Sequence, residues 1–150
     1  MKKVYVREEY CVACGLCQVY CATQHSQYPD DVLKAFRLSS RKPVPRLLVE
    51  KKASLSFAWQ CRHCDNAACV SACISGAMSK DASTGEVRVD ESRCIGCATC
   101  VVACPYGTVV SLYPQQSLVL KCDLCQGRQL PVCVLNCPNE ALVYGEELVK

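Results

Sequence analysis

Cys94, Cys97, Cys100 and Cys104 follow one another as C-x2-C-x2-C-x3-C, and Pro105 closes the run. Three thiolates at this spacing grip one corner each of a [4Fe-4S] cube, while the fourth reaches a different cube. A tight loop with Gly96 wraps the first three sulfurs around one cluster, whereas Cys104 sits on the helix that leaves the loop and points elsewhere. Every such run therefore needs a mate in the chain. Cys11, Cys14, Cys17 and Cys21 repeat the spacing without the proline. Cys61, Cys64, Cys69 and Cys73 give C-x2-C-x4-C-x3-C, and Cys122, Cys125, Cys133 and Cys137 give C-x2-C-x7-C-x3-C before Pro138. These groups use all 16 cysteines, so four clusters of four thiolates each leave no orphan.

Two other chemistries use cysteine this heavily. Disulfide scaffolds are small and secreted, and residues 1–9 offer no apolar signal region before charge returns. Zinc sites of four thiolates combine two C-x2-C pairs, which triplets plus a remote single do not fit. A zinc-binding structural or interaction protein is the alternative, and it would be colourless. Sixteen ligands for sixteen iron positions leave no open coordination site for catalysis. The sequence also contains no P-loop, no Gly-rich dinucleotide fingerprint and no nucleophile motif. The expectation is a non-catalytic electron carrier, with substrate chemistry in a partner.

The elements that must position these loops are short. Residues 3–7 alternate around Val4 and Val6 and predict a strand entering the first loop, where Gly15 makes the turn into a helix over 16–24 carrying Cys21. His25 is read as a surface helix end. Residues 26–52 hold Pro29, Pro43 and Pro45 with seven basic residues, and are read as an insertion without a continuous helix across Pro43 and Pro45. It serves as a solvated cover, with docking of an acidic partner the sharper reading. A strand over 55–60, a helix over 67–74, a hairpin over 78–89 with Gly85 left-handed, the Cys94 loop with its helix, and a strand over 108–112 follow. His63 and Trp59 are read as packing beside a cluster rather than as electron relays. A last strand over 141–144 precedes a polar tail over 146–150.

At 150 residues the expected radius of gyration is about 15 Å, which would set four cubes roughly 10 Å apart, suited to tunnelling. The apolar fraction of 51% counts every cysteine, so clusters must replace much of the hydrocarbon core and metal binding should be coupled to folding. The formal charge of +3 treats thiols as neutral. Sixteen thiolates around four oxidised cores of charge 2+ would bring it to about −5. With no basic run of five residues, nucleic-acid binding is not expected. No stretch approaches the roughly 18 apolar residues of a membrane span, and ligands that need reduced thiols imply a cytoplasmic setting.

The four groups in this order, with x4 in the second, a long spacer in the fourth, and Gly76-Ala77 and Lys121-Cys122-Asp123-Leu124-Cys125 besides, resemble one known family. This is the four-cluster iron-sulfur subunits of molybdenum and tungsten oxidoreductases and hydrogenase complexes. Its members include those of dimethyl sulfoxide reductase, formate dehydrogenase, formate hydrogenlyase, carbon monoxide dehydrogenase and aldehyde oxidoreductase. The resemblance implies an α+β fold of two nested bacterial dicluster ferredoxin-like modules, with short strands and short helices around the clusters. The outer module comprises residues 1–54 with 114–150, and the inner one 55–113. It further implies cubes held by Cys11, Cys14, Cys17 and Cys137; by Cys21, Cys122, Cys125 and Cys133; by Cys61, Cys64, Cys69 and Cys104; and by Cys73, Cys94, Cys97 and Cys100. Ala22 and Ile74 stand where the full motif has proline, which weakens the expected helix ending but removes no ligand. The implied role is to relay electrons between a catalytic oxidoreductase subunit and a ferredoxin, an NAD(P)H-linked flavoprotein or another copy of the chain.

Overall fold

The computed structural model describes residues 1–112 and 118–146. In chain order the elements are β1 (Lys3–Val6), a 3-10 turn (Glu8–Tyr10), α1 (Leu16–Gln24), α2 (Val32–Arg37), β2 (Leu47–Lys52) and β3 (Leu55–Gln60). Then come α3 (Ala68–Ser71), β4 (Met78–Lys80), β5 (Val87–Val89), α4 (Thr99–Ala103), β6 (Val110–Ser111), β7 (Val119–Leu120), α5 (Val132–Leu135) and β8 (Leu142–Gly145). The strands form antiparallel pairs, β1 with β8, β2 with β3, β4 with β5 and β6 with β7. The fold is thus α+β, built from short helices and two-stranded ribbons. Isolated ribbons of this size are marginal in water, so what they enclose must stabilise them.

The chain divides into two compact units, one of Met1 with Cys61–Asp123 and the other of Lys2–Gln60 with Leu124–Lys150. In the second, β1 and β8 bring opposite ends of the chain into register, with Val4 facing Tyr144 and Val6 facing Leu142. Its core combines Leu47, Ala58 and Leu142 with Cys17, Cys21 and Cys133. In the first unit Ala67, Met78, Val87, Val109 and Val119 pack with Cys100, and Cys69, Cys73, Cys94 and Cys104 lie at the edge. Cysteine is part of both cores.

The sequence-based elements correspond closely at α1, β1, β3 and the β4–β5 hairpin, where Gly85 has φ 74°. The insertion differs. Asp31 caps α2 by accepting from the Lys34 amide at 2.9 Å, and residues 47–52 form β2, which pairs along its whole length with β3. The turn between them is Ala53-Ser54, with Ala53 at φ 52°. That is a hairpin without the Gly or Asn that announces one. Strand β3, read as the first strand of an inner unit, therefore finds its partner inside the insertion. Helix α3 covers four residues rather than eight, because the turn at Cys73 begins sooner. The end of the expected inner module at 113 and residues 147–150 of the expected tail lie outside the described residues.

Candidate metal centres

In each of the four cysteine groups the residue before the second cysteine is left-handed: Ala13 at φ 55°, His63 at 46°, Gly96 at 70° and Leu124 at 57°. Only one of these is glycine, although an L side chain in this region costs roughly 1–2 kcal/mol. Alternating right- and left-handed backbone turns successive N–H groups into one concavity that suits an anion. The loops accept local strain to aim amides inward. In the Cys61 loop, the His63 N–H lies 3.5 Å from the Cys61 sulfur.

In the unit formed by the chain ends, Gly15 at φ 75° starts α1, which carries Cys17 and Cys21. Cys11, Cys14, Cys17 and Cys137 line a single cavity, together with Val6, Ala58, Pro138 and Leu142. Burial pushes the Cys17 thiol up from 9.0 to about 11, and the Cys14, Cys137 and Cys11 sulfurs nearby add to the rise. Crowded sulfurs that resist ionising one by one are what a cationic cluster core relieves. Cys21, Cys125 and Cys133 are also buried in this unit, and Cys122 is buried in the other.

In the unit of residues 61–123, Cys73, Cys94, Cys97 and Cys100 line a second cavity with Met78, Val89 and Val119. The Thr99 hydroxyl donates to the Cys97 sulfur at 3.3 Å and holds that thiol below its ordinary range. Burial raises the Cys100 thiol, helped by the sulfurs of Cys73, Cys69 and Cys94. Burial likewise raises Cys69, where the Cys61 and Cys104 sulfurs add to the effect and the Lys121 ammonium opposes it. The Cys61 and Cys104 sulfurs are thus near enough to act on the charge of Cys69, with Cys64 in the loop that follows Cys61.

The last cysteine of three of the four groups has a common environment. After Cys73, Cys104 and Cys137 the chain turns at once: the amides of Gly76, Gly107 and Glu140 bond back to those cysteine carbonyls, with φ 63°, 60° and 52°. A donor four or five residues on then meets the sulfur. Met78 N–H donates to Cys73 at 3.3 Å, Ala141 N–H to Cys137 at 3.2 Å, and the Thr108 hydroxyl lies 3.5 Å from Cys104. Burial works against the thiolates of Cys73 and Cys104, yet these hydrogen bonds win and lower both pKa values. Cys21 departs from this pattern, since α1 continues through Ala22 to Gln24, and its sulfur takes the Arg46 amide at 3.2 Å instead. Ile74 in place of proline leaves the turn after Cys73 intact, whereas Ala22 permits the helix to run on.

These donors and left-handed positions were not picked out from the sequence; their signal was the constant offset from each cysteine. His25 ends α1 as expected, its Nδ1 donating to the Cys21 carbonyl at 2.8 Å and lying 3.8 Å from the sulfur. His63 is fully buried, and its Nδ1 accepts the Val87 amide at 3.0 Å. That is a packing and hydrogen-bonding role.

The donor set, thiolates in apolar cavities with amides aimed at sulfur, fits iron-sulfur cubes. A family model described as "4Fe-4S dicluster domain" matches residues 53–147. The chain is 36% identical over 148 residues to "Electron transport protein HydN" of Escherichia coli K12, covering 89% of this chain and 81% of that protein. It is 38% identical over 148 residues to "Thiosulfate reductase electron transfer subunit PhsB" of Salmonella typhi, covering 92% and 72%. Among solved structures, a chain of the "Active site complex BamBC of Benzoyl Coenzyme A reductase in complex with 1,5 Dienoyl-CoA" superposes with a TM-score of 0.53 at 23% identity. That match covers 100% of this chain and 78% of the other, and shows a shared fold. Sequence, fold and donor set agree, and the chain belongs to the 4Fe-4S dicluster domain family.

Proposed function

We propose that this chain is the non-catalytic electron-transfer subunit of a cytoplasmic oxidoreductase complex and carries four [4Fe-4S] clusters. The ligand sets are Cys11, Cys14, Cys17 with Cys137; Cys21, Cys122, Cys125 with Cys133; Cys61, Cys64, Cys69 with Cys104; and Cys73 with Cys94, Cys97, Cys100. The observation that carries this is the single cavity lined by Cys137 and the first-loop cysteines, 120 or more positions apart in the chain. The second cavity, of Cys73 with Cys94, Cys97 and Cys100, and the electrostatic effect of the Cys61 and Cys104 sulfurs on Cys69 support the crossed pairing. On this reading the modules are nested, residues 1–54 and 114–150 around 55–113.

When bound, such clusters supply one-electron transfer between the 2+ and 1+ states. The residues of this chain do the rest. Amides and hydroxyls donated to sulfur favour the more negative state, apolar walls keep water away, and rigid loops hold reorganisation low. The names of HydN and PhsB favour electron relay, with catalysis in a partner such as a carbon monoxide dehydrogenase, aldehyde oxidoreductase, formate dehydrogenase or hydrogenase subunit. A ferredoxin, an NAD(P)H-linked flavoprotein or another copy completes the circuit.

Iron and sulfide analysis of anaerobically purified protein, with EPR of the reduced form, tests this. About sixteen iron and sixteen sulfide per chain are expected. Fewer than about twelve iron, or zinc in a colourless protein, would overturn it.

A further inference from the structure

We propose that the buried ammonium of Lys121 raises the reduction potential of the cluster assigned to Cys61, Cys64, Cys69 and Cys104. This rests on that ligand assignment and adds a tuning residue to it.

Lys121 is 3% exposed, a rare state for a lysine, and among the described residues no carboxylate pairs with it. Among the described residues its ammonium donates to the carbonyls of Val87 and Cys122, the latter at 2.6 Å, and these acceptors carry no charge. Val87 also gives its amide to His63 Nδ1 at 3.0 Å, so one residue of β5 fastens both the ammonium and the loop between Cys61 and Cys64. The ammonium acts electrostatically on Cys69 in the sense that favours the thiolate. A second lysine, at the end of β4, also bonds to this loop and is the natural control. Lys80 donates to the Cys64 and Asp65 carbonyls at 3.1 and 2.8 Å, but its side chain is 27% exposed and the Asp65 carboxylate stands 3.7 Å away.

The physical consequence follows from charge. Reduction adds one electron, and hence one negative charge, to a centre already anionic with its thiolates. A fixed positive charge in a low-dielectric surrounding stabilises the reduced state more than the oxidised one. Lys80, half neutralised and partly in water, exerts the same pull more weakly.

The test is an EPR-monitored dithionite titration of the full-length holo-protein and its Lys121→Met, Lys121→Gln, Lys121→Arg and Lys80→Gln variants, with iron and sulfide counted in each. In Lys121→Met and Lys121→Gln, one of the reduction steps should fall about tenfold in equilibrium constant, about 59 mV for one electron. Lys121→Arg and Lys80→Gln should stay near the parent. The step that moves should be the one altered by Cys104→Ser. Unchanged potentials in iron-replete Lys121→Met and Lys121→Gln would overturn the proposal, as would a fall in Lys121→Met alone, because Gln keeps a donor without the charge. Failure of both neutral variants to take up iron while Lys121→Arg loads would overturn it in favour of a purely structural lysine. A low iron count in the parent protein would instead sink the four-cluster reading itself.

Discussion

The amide of Arg46 donates to the sulfur of Cys21 at 3.2 Å, across 25 residues of chain. The corresponding sulfurs of Cys73 and Cys137 take amides only five and four residues downstream. The insertion between Gln24 and β2 thus does locally specific work: it returns an N–H to the one closing cysteine whose helix does not stop.

Arg46→Pro removes that amide and leaves the β2–β3 pairing, which begins at Leu47, in place. Loss of an outer-shell donor to a metal ligand typically costs about 10–100-fold in affinity. Iron release to a chelator should accelerate for a quarter of the bound iron, whereas Arg46→Ala, which keeps the N–H, should match the parent protein.

Cys137→Ser and Cys11→Ser should erase or convert the same EPR component, because both sulfurs line one cavity. Cys73→Ser should alter a different component, shared with Cys97→Ser. Spectra in which Cys137→Ser and Cys73→Ser affect one centre would contradict the crossed pairing.

His63→Leu leaves the Val87 amide without its acceptor in a buried site and puts a branched side chain at φ 46°. An unsatisfied buried donor costs about 1–3 kcal/mol. Urea unfolding of the holo-protein should move accordingly, and His63→Asn, which accepts a hydrogen bond and tolerates left-handed backbone, should recover part of the loss.

Cluster assembly on the iron-free chain should depend on pH with a defined sign. Burial holds Cys17 at about 11, so near neutrality it is a protonated thiol and iron binding must expel the proton. In the other site burial raises Cys100, but Cys73 and Cys97 are held below the ordinary value of 9.0 and ionise sooner. In reconstitutions from pH 6.5 to 9, occupancy of the Cys11, Cys14, Cys17 and Cys137 site should climb over a higher pH range than that of the Cys73, Cys94, Cys97 and Cys100 site. Spectra of samples reconstituted at each pH would check this.

Much of this protein is legible from one line of letters because its chemistry is local. Three cysteines within seven residues, as in Cys94 to Cys100, name the cofactor type, and a hydrophobic alternation such as that of β1 needs only nearest neighbours. The short helix α1 and the Gly85 turn follow from the same local rules. Other features depended on tertiary structure. Residues 47–52 become a strand because β3 offers a pairing edge, across an Ala53-Ser54 turn with no sequence mark. Ala13, His63 and Leu124 adopt left-handed backbone through constraints of the surrounding loop rather than propensity. The juxtaposition of Cys137 with Cys11, and of Arg46 with Cys21, is set by β1–β8 pairing and by the path of the insertion. Sequence spacing encodes which residues can ligate, but closing a site across more than a hundred residues is a property of the folded chain.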